Sequence, residues 1–401
     1  MEKEIIVNIA YRWFLGLDFD DDIPDHSTLS QLRRRKFKDS NLFQEIFDEV
    51  VWQCIKVGLV DGKLLLTDST HMKANVCETK REVITVKDVP SAYMKRLDEL
   101  ALQEELIKET NKTSPKAKEK TKEIKVSTSD PDSGILNRPG KPNGFHYLSH
   151  NTVDGNSGII TDVHVTSGNT KDSTPHSERI QTQIEKFNFD TKEVGADATY
   201  DTGEIHSDML RMDIKTFIPK HRQVNPNEGL FFTPKDFNYN HENNCYICPN
   251  NCILKYSTFK KGNGLKTYSA STKDCRICPL KNQCISGKGK CRSIHRPYHQ
   301  AEIDIQRKNN STERYKEIMR LRQIWCEGNN SHQKARHCLS RAKMRGIEKV
   351  TEQCLMSACV LNLTRLVKCL KRHGNTSVYS YFWSIFTDFR CFCDFKLILA
   401  V

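Results

Sequence analysis

The chain reads as an α/β protein, a mixed β-sheet core with helices on its faces. A small helical module precedes this core and a cysteine-rich insertion interrupts it. Three observations predict this. Across 61–222, short apolar runs of strand length alternate with segments of helical period. Within 1–60, a basic segment precedes an apolar stripe at helical spacing. From 223 to 300, cysteines gather in spaced pairs within a stretch that has little apolar material of its own.

In the first module, a short helix starts near Ser27 and carries Arg33, Arg34, Arg35 and Lys36. Such a basic helix suits a DNA contact, and it suits a solvated face equally well. Asp39 or Ser40 can cap the next helix, whose stripe is Leu42, Phe43, Ile46, Phe47, Val50, Val51, Cys54 and Ile55. LLLTDST at 64–70 reads as a buried strand ending at Asp68. A helix and linker occupy 90–142: residues 91–109 are helical in pattern, and the lysine-rich 111–125 reads as a flexible basic spacer. Two strand runs, 145–154 and 158–169, flank a turn at 154–158. A helix over 177–187, a strand through KEVGADATYD, a helix over 203–214 and a strand over 215–220 follow. Residues 301–372 complete the core: one long helix runs from Tyr298 to Glu327, and the helical pattern continues to 372 with a break at Gly346. The stretch 373–401 is an apolar tail, too often interrupted by Asp388, Arg390, Asp394 and Lys396 for a membrane span.

At 401 residues the chain has length for two or three domains and a sizeable core. Its formal charge of +12 suits a polyanionic partner, although the same excess also serves ordinary solubility. The start is acidic, and Asn8 and Arg12 break its apolar stretch, so no signal peptide is expected. An intracellular setting follows, in which the 16 cysteines are thiols or metal ligands and not disulfides.

Three acids carry the chemistry: Asp68 in LLLTDSTHMKAN, Asp197 in EVGADATYDTGE and Glu327 in IWCEGNNSHQKARH. Each singly is an ordinary strand end or helix acid. Together they supply the hard oxygen ligands that hold paired divalent cations, and in a basic protein that points to phosphodiester chemistry. Lys334 lies seven residues beyond Glu327, two turns along the same helix face.

DSTHMKAN at 68–75, ADATYD at 196–201, and Glu327 with Lys334 resemble the DDE transposases of bacterial insertion sequences. The similarity extends over nearly the whole chain, from FLGLDFDDDIPDHSTLSQLRRR through the cysteine insertion to RAKMRGIEKV and LNLTRLVK. It is similar to the branch whose last motif is Tyr-x2-Arg-x3-Glu-x6-Lys, a pattern that Glu327 and Lys334 fit. Here Gln323 stands at the Arg position with Arg322 one residue early, and Arg320 stands at the Tyr position; Glu313 and Glu317 are alternative third acids. The resemblance implies an RNase H-like core in which Asp68, Asp197 and Glu327 are catalytic and hold two Mg2+ or Mn2+ ions. It implies cleavage at transposon ends and strand transfer into target DNA. Lys334, Arg322, Lys73, Asn75 and Tyr200, with Arg33, Arg34 and Arg35, would contact DNA. It further implies a bacterial cytoplasmic, nucleoid-associated protein with no membrane partner, and by analogy a homodimer in the paired-end complex. The alternatives are a catalytically inactive, transposase-derived DNA-binding protein and a metal-dependent nuclease.

Cys245-x2-Cys248-Pro and Cys275-x2-Cys278-Pro are two knuckles separated by 26 residues. Four thiolates so spaced suit one structural Zn2+ in a ribbon-like insertion. Cys252, Cys284, Cys291, His295 and His299 lie nearby as further donors.

Overall fold

The computed structural model describes residues 2–23, 25–35, 37, 40–87, 91–104, 121–137, 140, 143–221, 229–285 and 289–372. The expected apolar tail, Lys36, Asp39 and most of the lysine-rich spacer lie outside these residues.

Helices α1 (Glu2–Val7) and α2 (Ile9–Leu15) open the chain. Asn8 caps α2 by accepting from the Ala10 N–H, and Gly16 ends it in the left-handed conformation, as helix caps require. Helices α3 (His26–Arg35) and α4 (Leu42–Lys56) follow. The predicted stripe of α4 is real: Phe47, Val50, Val51 and Cys54 are buried on one face. Its flanking residue is Asn41, while the Ser40 hydroxyl donates to the Phe37 carbonyl, so the expected Ser40 cap does not form.

The main sheet is built from β1 (Leu64–Lys73), β4 (Gly134–Leu136), β5 (Gly144–Asp154), β6 (Ile160–Ser167), β7 (Glu193–Gly195) and β8 (Lys215–Phe217). Its order is β6-β5-β1-β7-β8, with β4 pairing the opening residues of β5. β5 is antiparallel to β1 and β6, whereas β7 and β8 run parallel to β1. Leu64, Leu65 and Leu66 are all buried, which marks β1 as a central strand covered on both faces. Between β1 and β4 the chain forms a two-stranded ribbon, β2 (Arg81–Lys87) with β3 (Thr121–Ser127), and α5 (Ala92–Gln103). The flexible spacer expected up to residue 125 is therefore strand from Thr121 onward: Ile84 pairs with Ile124, and Val86 with Lys122.

Helices α6 (His176–Phe187) and α7 (Gly203–Arg211) connect the later strands. The insertion is a five-stranded antiparallel sheet of β9 (Asn238–Asn240), β10 (Cys245–Ile247), β11 (Ile253–Lys260), β12 (Leu265–Ser269) and β13 (Ser293–Pro297). Short helices α8 (Thr272–Arg276) and α9 (Lys281–Cys284) lie between β12 and β13. The insertion has more core than the sequence suggests: Phe237, Tyr246, Leu254, Tyr268 and Ile294 are buried together. Helix α5 docks on it, with Leu97 and Ala101 against Phe259, and the Asp98 carboxylate accepts from the Gly262 N–H at 3.0 Å.

The single long helix expected from Tyr298 to Glu327 is instead three pieces. They are α10 (Gln300–Arg307), a 3-10 turn, and α11 (Glu313–Arg322) continuing into a π turn over Gln323–Glu327. Thr312 restarts the helix, its side chain accepting from the Tyr315 N–H. Helix α12 (Gly328–Arg336) follows directly, and α13 (Ile347–Arg372) ends the described chain. Residues 341–345, expected as helix, instead tie to the end of β1, where the Ala342 N–H donates to the Lys73 carbonyl at 2.8 Å. Among the described residues α13 alone has the length and apolarity to cross a membrane. It packs against α4 and β6 and buries Val350, Cys354, Leu355, Ala358 and Leu366 in the main core, which is the environment of a core helix.

The turn between β5 and β6 clamps the last helices to the sheet. Gly158 has φ +74, and a Cβ there would lie 2.3 Å from the Trp325 ring. The Trp325 indole donates to the Gly155 carbonyl at 3.1 Å, and the Asn329 amide and Arg365 donate to the Gly158 carbonyl. A Gly158→Ala variant combines a strained φ with a ring clash, so a loss on the order of 2–4 kcal/mol is expected. Thermal unfolding should show a lowered midpoint; a midpoint equal to wild type would remove the clamp from the account.

Candidate active site

β1 and β7 are parallel neighbours with Leu66 opposite Gly195. Asp68 and Asp197 each lie two residues beyond that last pair, at the same end of the sheet, and the charge of Asp197 acts on Asp68. Asp68 does not end its strand as expected: β1 continues to Lys73, and Asp68 pairs with Asn151 of β5. Asp197 leaves β7 and begins a 3-10 turn, its carboxylate accepting from the Thr199 N–H at 2.8 Å.

The third acid arrives from α11. Arg322 donates to the Glu327 carboxylate at 3.1 Å and stands 3.8 Å from that of Asp68. A π turn bonds residue i to i+5, one residue more than an α turn holds. Arg322 therefore meets Glu327 across five positions much as an α-helical residue would across four. Single π turns inside helices are frequent at functional sites, and this one accounts for the one-residue displacement seen in the sequence. Glu327 is half exposed, whereas Asp68 is only 15% exposed. Sequence reasoning missed Asn330, which donates to Asp68 at 3.1 Å, and Asn151, which donates to Asn330 at 3.1 Å. The run GNN directly after Glu327 was the available sign.

Burial pushes the Asp68 carboxyl up to about 6. Arg322 opposes this, and the negative charges of Asp197 and Glu327 reinforce it. The three acids thus sense one another across a single site. Their oxygen donors and mutual repulsion fit a hard divalent cation, which would relieve that repulsion. Among the described residues, no group of three or more His, Cys, Asp or Glu side chains is closed into a metal-holding set.

The other predicted DNA-contacting residues separate. Tyr200 is 1% exposed and packs edge-on to His176 at 5.2 Å, so it supports the Asp197 turn from beneath and does not face DNA as expected. Lys73 is exposed and pairs with Glu78 at 2.9 Å. Asn75 donates to the Lys343 carbonyl and accepts from Arg345, bracing the 341–346 loop. Arg33 lies over Phe43 and within 3.7 Å of Glu352, attaching α3 to α13. Arg35 is exposed, and the Arg34 side chain lies outside the described set. Lys334 is half-buried on α12.

Beneath the site, Asp201 accepts from the His206 Nε2–H at 2.9 Å, Arg307 at 2.6 Å and the His221 N–H at 2.9 Å. Burial would raise its carboxyl, but these donors outweigh it and hold the group at about 2.

In the insertion, Cys245 is buried in β10, paired with Lys255 and Asn240. Successive strand residues face opposite ways, and the adjacent Tyr246 points into the aromatic cluster. Cys248, Cys275 and Cys284 pack against that same cluster. The expected zinc on Cys245, Cys248, Cys275 and Cys278 finds no support: among the described residues no group of three or more such donors could hold a metal.

Comparisons with known proteins find two family models that match parts of the chain. Residues 247–367 match the family described as "Transposase DDE domain", and residues 1–35 match "Transposase domain (DUF772)". The first match includes Glu327 and Lys334, whereas Asp68 and Asp197 lie between the two. No curated protein and no solved structure gives a significant match.

Two outcomes follow. Asp68 has a raised pKa in the fold, so its stabilising contribution is complete below about 3.8 and is lost as pH rises through about 6. In metal-free buffer, Asp68→Asn should therefore raise stability at pH 7.5 on the order of 1–3 kcal/mol, with little gain at pH 4. Equal denaturation midpoints for variant and wild type at pH 7.5 would refute the crowding of charge. Asp201 has the opposite sign: its contribution is present above about 3.8 and fades as pH falls toward 2. Asp201→Asn should therefore be destabilised at pH 7 and should converge on wild type in acid denaturation series.

Proposed function

We infer that the chain is a DDE transposase of an insertion sequence, the reading that its two transposase family matches support. From that premise we propose that it cleaves DNA at the ends of its element and joins the freed strand to target DNA, with Asp68, Asp197 and Glu327 as the catalytic acids. The observation that carries this reading is that Asp68 and Asp197 follow the paired ends of neighbouring strands, with Glu327 joined to Asp68 through Arg322. The strand order β6-β5-β1-β7-β8, antiparallel then parallel about β1, supports the RNase H-like reading of the core.

Asp68, Asp197 and Glu327 would hold a pair of Mg2+ or Mn2+ ions. Such ions, when bound, activate a water or a 3′-hydroxyl and stabilise the leaving oxygen of an in-line displacement. The chain's own side chains do the rest. Asn330 orients the Asp68 carboxylate, and Asn151 orients Asn330. Arg322 lies between Asp68 and Glu327 and offsets part of their charge. Lys334, two turns along the helix face from Glu327, offers its ammonium to a phosphate of the bound strand. Lys73, on the strand that carries Asp68, and Arg35, exposed on α3, add positive charge for the DNA backbone. A homodimer at paired ends and a cytoplasmic, nucleoid-associated setting complete the reading by analogy with the family.

The deciding assay incubates purified protein with DNA carrying the element's terminal inverted repeats, with Mg2+ or Mn2+. Wild type should nick the ends and join them to target DNA, and Asp68→Ala should do neither. Cleavage without joining would favour a nuclease, and no cleavage with either metal would leave a DNA-binding protein. Within that assay, Arg322→Gln should reduce cleavage at least tenfold, while Arg320→Gln should stay near wild type. The reverse would break the assignment made through the π turn. Lys334→Ala should weaken DNA binding and flatten the dependence of log affinity on log salt by about one unit, as loss of one phosphate contact requires. An unchanged slope would remove Lys334 from the interface.

A further inference from the structure

We propose that the loop carrying Arg341, Lys343 and Arg345 is a second DNA-contacting surface, which grips the phosphates of a duplex away from the acidic site. The inference rests on the reading that the chain acts on DNA, and it adds where the duplex is held.

The first support is how the loop displays its charge. Arg341, Lys343 and Arg345 are exposed, whereas Ala342 is buried and Met344 half-buried, so the cations meet solvent while the residues between them turn inward. Among the described residues none of the three pairs with a carboxylate. The nearby acids are engaged elsewhere: Glu78 holds Lys73 at 2.9 Å, Glu352 lies 3.7 Å from Arg33, and Asp132 accepts from the Ile347 N–H at 3.0 Å. Charge of one sign left unneutralised suits a polyanion. None of the large apolar side chains exposed among the described residues belongs to this loop, so it lacks the apolar centre of a protein interface.

The second support is how firmly the backbone under these cations is fixed. The Lys73 N–H donates to the Ser340 carbonyl at 3.0 Å, and the Ala342 N–H donates back to the Lys73 carbonyl at 2.8 Å. The Gln353 amide accepts from the Lys343 N–H at 2.9 Å and donates to the Arg341 carbonyl at 3.2 Å. Asn75 donates to the Lys343 carbonyl at 3.2 Å, and Gly346, at φ +88, donates its N–H to Asp130 at 3.0 Å. Cations on a backbone held this way lose less freedom on binding than cations on a mobile spacer. Arg345 is tied to the Asn75 carbonyl through Nε at 2.8 Å, which leaves its terminal guanidinium N–H groups for a phosphate.

The third support is where the loop lies. Arg341 is bridged to Lys73, the last residue of β1, and Asp68 belongs to that same strand. At a rise of about 3.3 Å per residue, the two ends of Asp68–Lys73 are about 17 Å apart, the length of about five base pairs of B-DNA. A duplex engaged at the acids is long enough to meet the loop as well. On its other side the loop meets α3, where Arg33 reaches the Met344 sulfur at 3.9 Å. The loop thus joins the N-terminal module to the strand of the first acid.

The test measures binding of the full chain to duplex DNA carrying the element's terminal inverted repeats, across a salt series and without divalent metal, so that cleavage plays no part. The pair Arg341→Gln and Lys343→Gln, made together, should weaken binding roughly tenfold at about 0.1 M salt. It should also flatten the dependence of log affinity on log salt by about two units, near 0.9 for each lost phosphate contact. Arg341→Lys with Lys343→Arg keeps both charges and should bind as wild type, which separates charge from folding. Lys63→Gln with Lys215→Gln removes two exposed cations at the opposite end of the sheet and should leave the slope unchanged. An unchanged slope in the Arg341 and Lys343 pair, or an equal loss in the Lys63 and Lys215 pair, would overturn the proposal. So would a loss confined to single-stranded DNA. The same variants tested for cleavage keep the two readings apart: normal cutting with an unchanged slope sinks this surface alone, and a flattened slope in a chain that never cuts sinks only the catalytic reading.

Discussion

Like charges brought together in a poorly solvated place repel, and much of this structure answers that constraint. Asp68 is largely removed from water, with Asp197 and Glu327 close enough to raise its proton affinity. Such an arrangement persists only if the surrounding fold fixes it more firmly than the repulsion opens it. The fixing is layered. The parallel pairing of β1 and β7 fixes the strand ends that lead to two of the acids. Asn330 and Asn151 hold the Asp68 oxygens in a chain of amides. The β5–β6 turn, Trp325, Asn329 and Arg365 hold the helix that supplies the third acid.

The same constraint explains the polar foundation under the site. Asp197 opens a short turn that leads through buried Tyr200 to Asp201, and Asp201 is the opposite of Asp68 in its electrostatics. Three donors hold it as a carboxylate, so it anchors the turn that carries a charge the fold otherwise disfavours. Burial and like charge disfavour the Asp68 carboxylate, whereas its donors favour that of Asp201. Functional sites commonly show this division between strained and satisfied groups.

Much of this was legible in the sequence because it was written in local periodicity. The apolar stripe of α4, the hairpin at 154–158 and the two strands leading to the acids follow from alternation and helical spacing. What was not legible depended on partners distant in sequence. The β2–β3 ribbon pairs residues some forty positions apart, and Thr121–Ser127 is too rich in lysine to read as strand alone. The break between α10 and α11 turns on Thr312, one capping hydroxyl in a run that is otherwise helical in pattern. Tyr200 followed its motif to the right place but faced inward, because its ring fills the space beside His176.

Arg322 and Cys245 show how a spacing depends on the backbone that carries it. A motif count assumes that each residue adds the same rotation. At Arg322 the helix itself departs from that assumption: the π turn takes up one extra residue, and an apparently misplaced arginine lands between the two acids it must reach. At Cys245 the period changes within the motif: Cys245 lies on β10, which ends at Ile247, so Cys248 already belongs to the turn beyond it. The count is identical in a sequence, and the secondary structure beneath it decides which side chains meet. A spacing motif is thus a statement about chemistry only after the period of the backbone carrying it is known.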